Sequence, residues 1–259
     1  MKYKTKLLVD RFVEVLSGWP GVECVSLNEA ALPDILDPYF ALILDVFYAG
    51  DIPEPEERCA FYGEGVVVFE TAKRGNKDRF LLGDIPVRIE YKSTRKIDEL
   101  IDIADKKRDQ LWLIKDSGTY GYYRLNYGEI LFARTDWIEK IRVRLSTLDV
   151  SFWQAMREAH QSKMEHYLSD LGAALIQGDD FHYLISSAMF IKTACLTLFC
   201  INRRFEPSHR AYYKQVHGLG ILPESFLTQF ETFLRNEGDL TMERRYSLAQ
   251  LMAREIIAL

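Results

Sequence analysis

Hydrophobic residues follow two different rhythms along this chain. In the first half they gather in short runs rich in β-branched and aromatic side chains, bounded by Pro, Gly and Asp, as half-buried or buried strands require. In the second half they recur at three- and four-residue spacing over long stretches, the period of amphipathic helices. Residues 3–18 open the chain with a helix pattern: Leu7, Leu8, Phe12, Val15 and Leu16 share one stripe, and Gly18 stands near the stop. Strands are then predicted at Val22 to Leu27, Phe40 to Tyr48, Val66 to Phe69, Phe80 to Leu82 and Val87 to Tyr91. Residues 28–37 read as a connector, residues 50–57 as an acidic, Pro-containing loop, and Lys73-Arg74-Gly75-Asn76-Lys77 as a basic turn between strands. Residues 94–107 form a charged amphipathic helix. Residues 111–133 resist assignment, because Gly118, Gly121 and Gly128 punctuate a Tyr-rich stretch; within it Tyr120, Tyr122, Tyr123 and Tyr127 either stack bases or, the favoured reading, form a Gly-bent hairpin packed on the core.

From Thr135 onward no strand pattern remains. Thr135 or Asp136 can cap a helix through Ile138, Ile141 and Leu145. A long helix follows to Ile176, broken by Gly178-Asp179-Asp180. A second runs from Phe181 to Arg203 and ends before Glu206-Pro207-Ser208, with Ser208 a candidate cap for the next helix. Residues 223–234 and 241–257 complete a helical half. The expected architecture is α+β: a mixed sheet with flanking helices over residues 1–133, then an all-helical bundle over 134–259.

Composition narrows the function classes. With 48% hydrophobic residues over 259 positions, the chain can build a sizeable core. A net charge of -5 argues against a general nucleic-acid binder, which carries a basic excess. The four cysteines form no CxxC pair, so a zinc site is not expected. The start, Met1-Lys2-Tyr3-Lys4-Thr5-Lys6, leads into an amphipathic helix rather than an apolar signal segment. The longest apolar stretch, residues 181–201, contains His182 and Lys192 and reads as a buried helix rather than a membrane span. These features together suggest a reduced cytoplasmic protein.

The candidate chemistry lies in two acids set inside apolar strands, Asp45 and Glu90. Burying a carboxylate is costly unless a cation, a metal or hydrogen bonds compensate it. On neighbouring strands the two acids could share a divalent metal, as nucleotidyl transfer requires. The efficient layout places two acids at i and i+2 on one strand, where they share a face. Ile43 and Phe47 occupy those positions around Asp45. Asp37 stands eight residues earlier, roughly 26 Å along an extended strand, and approaches only if Pro38 begins a turn. The same two acids could instead be ion-paired with Arg88, Lys92 or Arg79.

Taken together, these residues resemble the nucleotidyltransferase superfamily of the DNA polymerase beta type, and more closely its two-domain bacterial members similar to aminoglycoside adenylyltransferases. The likeness rests on Asp37-Pro38-Tyr39-Phe40 leading into the Asp45 strand, on Lys77-Asp78-Arg79-Phe80, on Val87-Arg88-Ile89-Glu90-Tyr91-Lys92, and on Asn202-Arg203-Arg204-Phe205-Glu206-Pro207, which looks like the family's Asn-Arg-x-x-x-Pro segment. The resemblance implies a transferase that moves a nucleoside monophosphate from a nucleoside triphosphate to a small-molecule or protein acceptor. It implies magnesium on Asp45 and Glu90, with Asp37 as a third catalytic acid. Lys77 and Arg79, with Asn202, Arg203 and Arg204, would meet the nucleotide or substrate.

Two departures qualify the resemblance. The family carries Gly-Ser at the end of the first strand, where this chain has Leu27-Asn28-Glu29-Ala30, and the Asp-x-Asp pair is incomplete. These departures imply the alternative of a catalytically degenerate nucleotide-binding or interaction module on the same fold. An Arg204-x4-His209 spacing also loosely matches some helical-bundle ribonucleases.

Overall fold

The computed structural model describes residues 3–28, 42–83, 85–235 and 240–259. By its internal contacts the chain divides into two compact units: residues 1–111 with 121–147, and residues 112–120 with 148–259. The segment 112–120 thus groups with the helical unit, although it lies within the first half of the sequence.

The first unit is built on a six-stranded mixed sheet. Its strands are β1 (Val22–Leu27), β2 (Leu42–Tyr48), β3 (Val66–Thr71), β4 (Lys77–Leu82), β5 (Ile85–Ser93) and β6 (Glu129–Ala133), in spatial order β3-β4-β5-β2-β1-β6. Only β2 and β5 pair in parallel, and the other neighbours are antiparallel. Helix α1 (Tyr3–Ser17) and helix α2 (Pro55–Tyr62) cover one face. Val9, Phe12 and Leu16 of α1 and Tyr62 of α2 pack there against Leu42, Leu44, Val46, Phe80, Val87 and Ile89. Helix α3 (Thr94–Asp105) follows β5. Helix α4 (Trp112–Ser117) belongs to the second unit. Helices α5 (Tyr120–Tyr127) and α6 (Trp137–Ser146) return to the sheet. Trp137 packs at a tilt of 46° against Phe47 from β2 with centroids 5.4 Å apart, and the Tyr122 hydroxyl donates to the Leu100 carbonyl at 2.8 Å.

Three local expectations change. The end of the segment 50–57, read as a loop, belongs to a helix over 55–62, because Pro55 stands at the helix start, where its missing N–H costs nothing. The tyrosines at 120–127 form not a hairpin but α5, and the unassigned stretch 111–133 holds α4, α5 and the edge strand β6. Gly118, with φ at +78°, separates the two short helices. Ser208 makes no side-chain cap; a 3-10 turn at His209–Ala211 separates it from the expected helix through Val216, which runs over Tyr212–His217.

The second unit is helical. Helix α7 (Val150–Gln177) and helix α8 (Asp180–Ile201) form an antiparallel pair, completed by α9 (Tyr212–His217), α10 (Phe226–Leu234) and α11 (Met242–Ile257). Gly178, at φ +66°, ends α7: its N–H meets the Leu175 carbonyl at 3.3 Å while the Asp179 N–H reaches Ala174 at 3.0 Å. Asp179 then caps α8 through the His182 N–H at 2.9 Å. Helix α8 is long and apolar enough to cross a membrane by length and composition, but 61% of that window is buried in the protein. Phe190, Ala194, Leu198 and Phe199 lie in the core of this unit with Met164, Leu171, Phe226, Phe230 and Met252.

Under α1 and α2 the sheet holds a buried ion pair that the pattern did not show. Arg58 on α2 is 2% exposed and grips Asp78 on β4, 0% exposed, with Nε to Oδ2 at 2.8 Å and NH2 to Oδ1 at 2.9 Å. The Tyr62 and Tyr91 hydroxyls donate to the same Oδ2 at 2.8 and 3.0 Å, and Thr71 donates to Oδ1 at 3.0 Å. The remaining Arg58 donors reach the carbonyls of Pro53 and Gly75, both at 3.0 Å. Removing one partner leaves the other charge buried alone. Asp78→Ala is therefore expected to lower unfolding stability by about 3–5 kcal/mol in urea titration. Tyr91→Phe, which removes one neutral donor, should cost about 1 kcal/mol. Equal and small losses would mean that the pair does not hold α2 to the sheet.

Candidate functional site

The opposite face of the same sheet carries the two acids. Parallel register sets Asp45 of β2 directly beside Glu90 of β5, and antiparallel register sets Ser26 of β1 beside Asp45 and Lys77 of β4 beside Glu90. Alternation then puts Ser26, Asp45, Lys77, Arg88, Glu90 and Lys92 on one face, since residues two apart in a strand point the same way. Asp45 and Glu90 therefore lie side by side on one face of the sheet. Asp37 lies outside the described residues.

The cation between the acids is a side chain. Arg124, on α5, sends Nε to Asp45 Oδ2 at 2.9 Å and NH1 to Glu90 Oε2 at 2.9 Å, and its NH2 bonds Asp45 Oδ1. Lys92 Nζ reaches Asp45 Oδ1 at 2.8 Å and Glu90 Oε2 at 3.7 Å. Lys77 and Arg88 each stand 3.3 Å from Glu90 Oε1. Every carboxylate oxygen of the pair therefore has a cationic neighbour. Of the three anticipated ion-pair partners, Arg88 and Lys92 take part, and Arg79 is an exposed residue across from Glu70 and Arg88. Arg124 was not anticipated, because it sat in a stretch read as a hairpin.

Asn28, at the end of β1, accepts from Arg124 Nε at 3.0 Å through Oδ1. It stands in the Leu27-Asn28-Glu29-Ala30 stretch where the resemblance places phosphate-binding Gly-Ser, and here it steadies a guanidinium instead. Ser26 Oγ and Asn28 Nδ2 are buried with no partner among the described residues. Cys24 lies on the same strand, and burial pushes its thiol up to about 12, so it stays protonated.

Burial alone would raise the Glu90 carboxyl, but the charges of Arg124, Lys92, Lys77 and Arg88 outweigh it and hold the group down to about 2.

Magnesium demands octahedral oxygen ligands at about 2.0–2.1 Å, with carboxylates free to turn toward it. Asp45 is fully buried and bonded at both oxygens. Two carboxylates already face four cationic side chains, so a divalent ion would add repulsion. Among the described residues, no group of three or more His, Cys, Asp or Glu side chains could hold a metal. These residues do not fit magnesium in this arrangement.

The remaining candidates lie in the helical unit. Asn202 clamps backbone: Nδ2 donates to the carbonyls of Leu198 at 2.9 Å and Ile221 at 2.8 Å, and Oδ1 accepts from the Ile221 N–H at 2.8 Å. Arg203, at φ +51°, and Arg204 are exposed.

With this geometry in hand, solved structures give a related fold. The chain is similar to a nucleotidyltransferase-like protein from Exiguobacterium sibiricum 255-15, with a TM-score of 0.50 and 12% identity, covering 98% of this chain and 74% of that one. No family model and no curated protein matches the chain. The mixed sheet, its flanking helices and the long helical region make this a nucleotidyltransferase-like α+β fold.

The acid cluster sets two expectations. A glutamate held below its unfolded value binds fewer protons folded than unfolded, so its contribution is present above about 4.5 and disappears as pH falls toward about 2. Glu90→Gln should therefore flatten the pH dependence of unfolding in that acid window, read by urea titration across pH. Arg124→Met leaves Asp45 to Lys92 alone and should cost about 3–5 kcal/mol at pH 7. A neutral outcome for Arg124→Met would mean that the guanidinium does not balance the buried acids.

Proposed function

We propose that this chain uses a nucleotidyltransferase-like fold as a binding or interaction module, with its sheet acids neutralised from within rather than by a metal. The observation that carries this reading is the Arg124 guanidinium lying across both carboxylates. Arginine is always charged and presents a planar fork that fits carboxylates, so it is a permanent counter-charge. Nucleotidyl transfer needs the opposite arrangement, with free carboxylate oxygens turned toward metal and substrate.

A specific feature favours the second reading, an active transferase similar to aminoglycoside adenylyltransferases. Asp45 and Glu90 are register partners on one face, as a shared metal would require. In that reading Arg124 withdraws when magnesium and a nucleoside triphosphate bind, and the acceptor is a small molecule or protein. Lys77, already close to Glu90, and Arg79 would meet the phosphates. The module reading needs none of these movements. Either reading suits a cytoplasmic protein.

Calorimetry of the intact chain with each ribonucleoside triphosphate, with and without magnesium, separates the two. The module reading expects no magnesium-dependent heat, and no pyrophosphate release in a parallel assay with candidate acceptors. Magnesium-dependent triphosphate binding accompanied by pyrophosphate release would overturn it.

A further inference from the structure

We propose that a cleft wholly within the helical unit binds a small organic phosphate monoester, with the phosphate held by Lys115, Lys163, Lys192 and His160. This inference is independent of the sheet acids. The cleft has a volume of about 680 Å³, within the ~300–1,000 Å³ range of small-molecule sites. Helical spacing builds two of its walls. His160, Lys163 and Tyr167 recur along one face of α7, and Met189, Lys192, Thr193 and Leu196 along one face of α8. The end of α4 with Gly118 and Tyr120 adds a third wall, and residues 206–209 line the remainder.

The lining chemistry points to an anion. None of the three lysines is ion-paired among the described residues, and Lys163 Nζ reaches only as far as the Lys115 carbonyl, at 3.3 Å. Of the two carboxylates in the lining, Glu206 is already occupied: the Tyr212 hydroxyl donates to it at 2.5 Å and His209 Nε2 lies 3.7 Å away. Asp116 is exposed. Three lysines against two acids leave a positive balance before any histidine charge is counted.

A second observation stands apart from the charge. His160 is 4% exposed, lines the cleft, and its Nδ1 has no hydrogen-bond partner. An orphaned buried nitrogen is costly unless something in the cleft meets it. Burial, with Lys163 and Lys192 nearby, lowers its pKa to about 4, so at neutral pH the ring carries no charge of its own and can offer an N–H to an oxyanion.

Compact ammonium groups lining one cleft with an N–H suit the several oxygens of a phosphate better than a single carboxylate. Tyr120, Tyr167, Met189 and Leu196 supply the apolar wall against which an organic body would pack. Gly118 shapes the rim: a Cβ there would stand 2.7 Å from Glu206 Oε2.

Isothermal titration of the full chain with AMP, ribose 5-phosphate and inorganic phosphate tests the proposal. Both organic phosphates should bind, at least tenfold tighter than inorganic phosphate, and binding should weaken as salt rises. Lys163→Gln, at an exposed position, and Lys192→Gln, at a half-buried one, should each weaken AMP at least tenfold without changing the melting temperature of the free protein. The His160 ring nitrogens should shift in NMR on saturation with AMP. No binding of either organic phosphate at millimolar concentration, equal affinity in both lysine variants, or binding of inorganic phosphate alone would overturn the proposal. Binding of a single-stranded RNA oligonucleotide with no response to AMP would overturn it too, in favour of a nucleic-acid surface.

Discussion

The guanidinium of Arg124 is the constraint on which the first unit turns. Asp45 sits at the centre of a six-stranded sheet with no exposure to solvent. An uncompensated carboxylate there would shed its proton only at great cost. Arg124 removes that cost by offering parallel donors to Asp45 and a third to Glu90, and Asn28 fixes its orientation. The same contact ties α5 to β1, β2 and β5, so electrostatics and topology are settled by one side chain. Breaking such a pair is more damaging than never having made it, because the leftover charge stays buried.

The sheet solves the problem twice, once on each face. Asp78 on β4 points into the layer beneath α1 and α2 and is met by Arg58. Asp45 on β2 points to the other side and is met by Arg124. Each arginine is supplied by a helix of only eight residues, and each also binds polar groups beyond the carboxylate. Both acids are placed by strand alternation alone, and the helices are placed by the acids. A sheet with this much buried charge is specified by its pairings more than by apolar packing.

That division explains what could be read from the residues. The strands, the helical half, the Gly178 break and the register-competent acid pair follow from periodicity and turn chemistry, and each is present. What escaped is concentrated in two short helices. α2 carries Pro53, Pro55 and several glutamates around its start and looks like a loop, while α5 lies between Gly118 and Gly128 and looks like a hairpin. Helices of that length span barely two turns, too few for a 3.6-residue period to emerge. Arg58 and Arg124 sit on those two elements, so the counter-charges were lost together with the helices that bear them. Lys92 and Arg88 were within reach because they lie on the same strand as Glu90. Asn202 was legible as special, but as a ligand contact; its role in closing the loop at Ile221 depends on a partner nineteen residues away in sequence.

Arg124 follows Asp45 by 79 residues. On a ribosome adding about 5–20 residues per second, Asp45 emerges about 4–16 s and Glu90, 34 residues ahead of Arg124, about 2–7 s before the helix that neutralises them. During that interval the half-made sheet must either stay open to water or leave its carboxylates protonated. A nascent chain stalled short of α5 would therefore carry its sheet acids without the arginine that neutralises them, and would leave a charged sheet face to whatever waits at the exit tunnel.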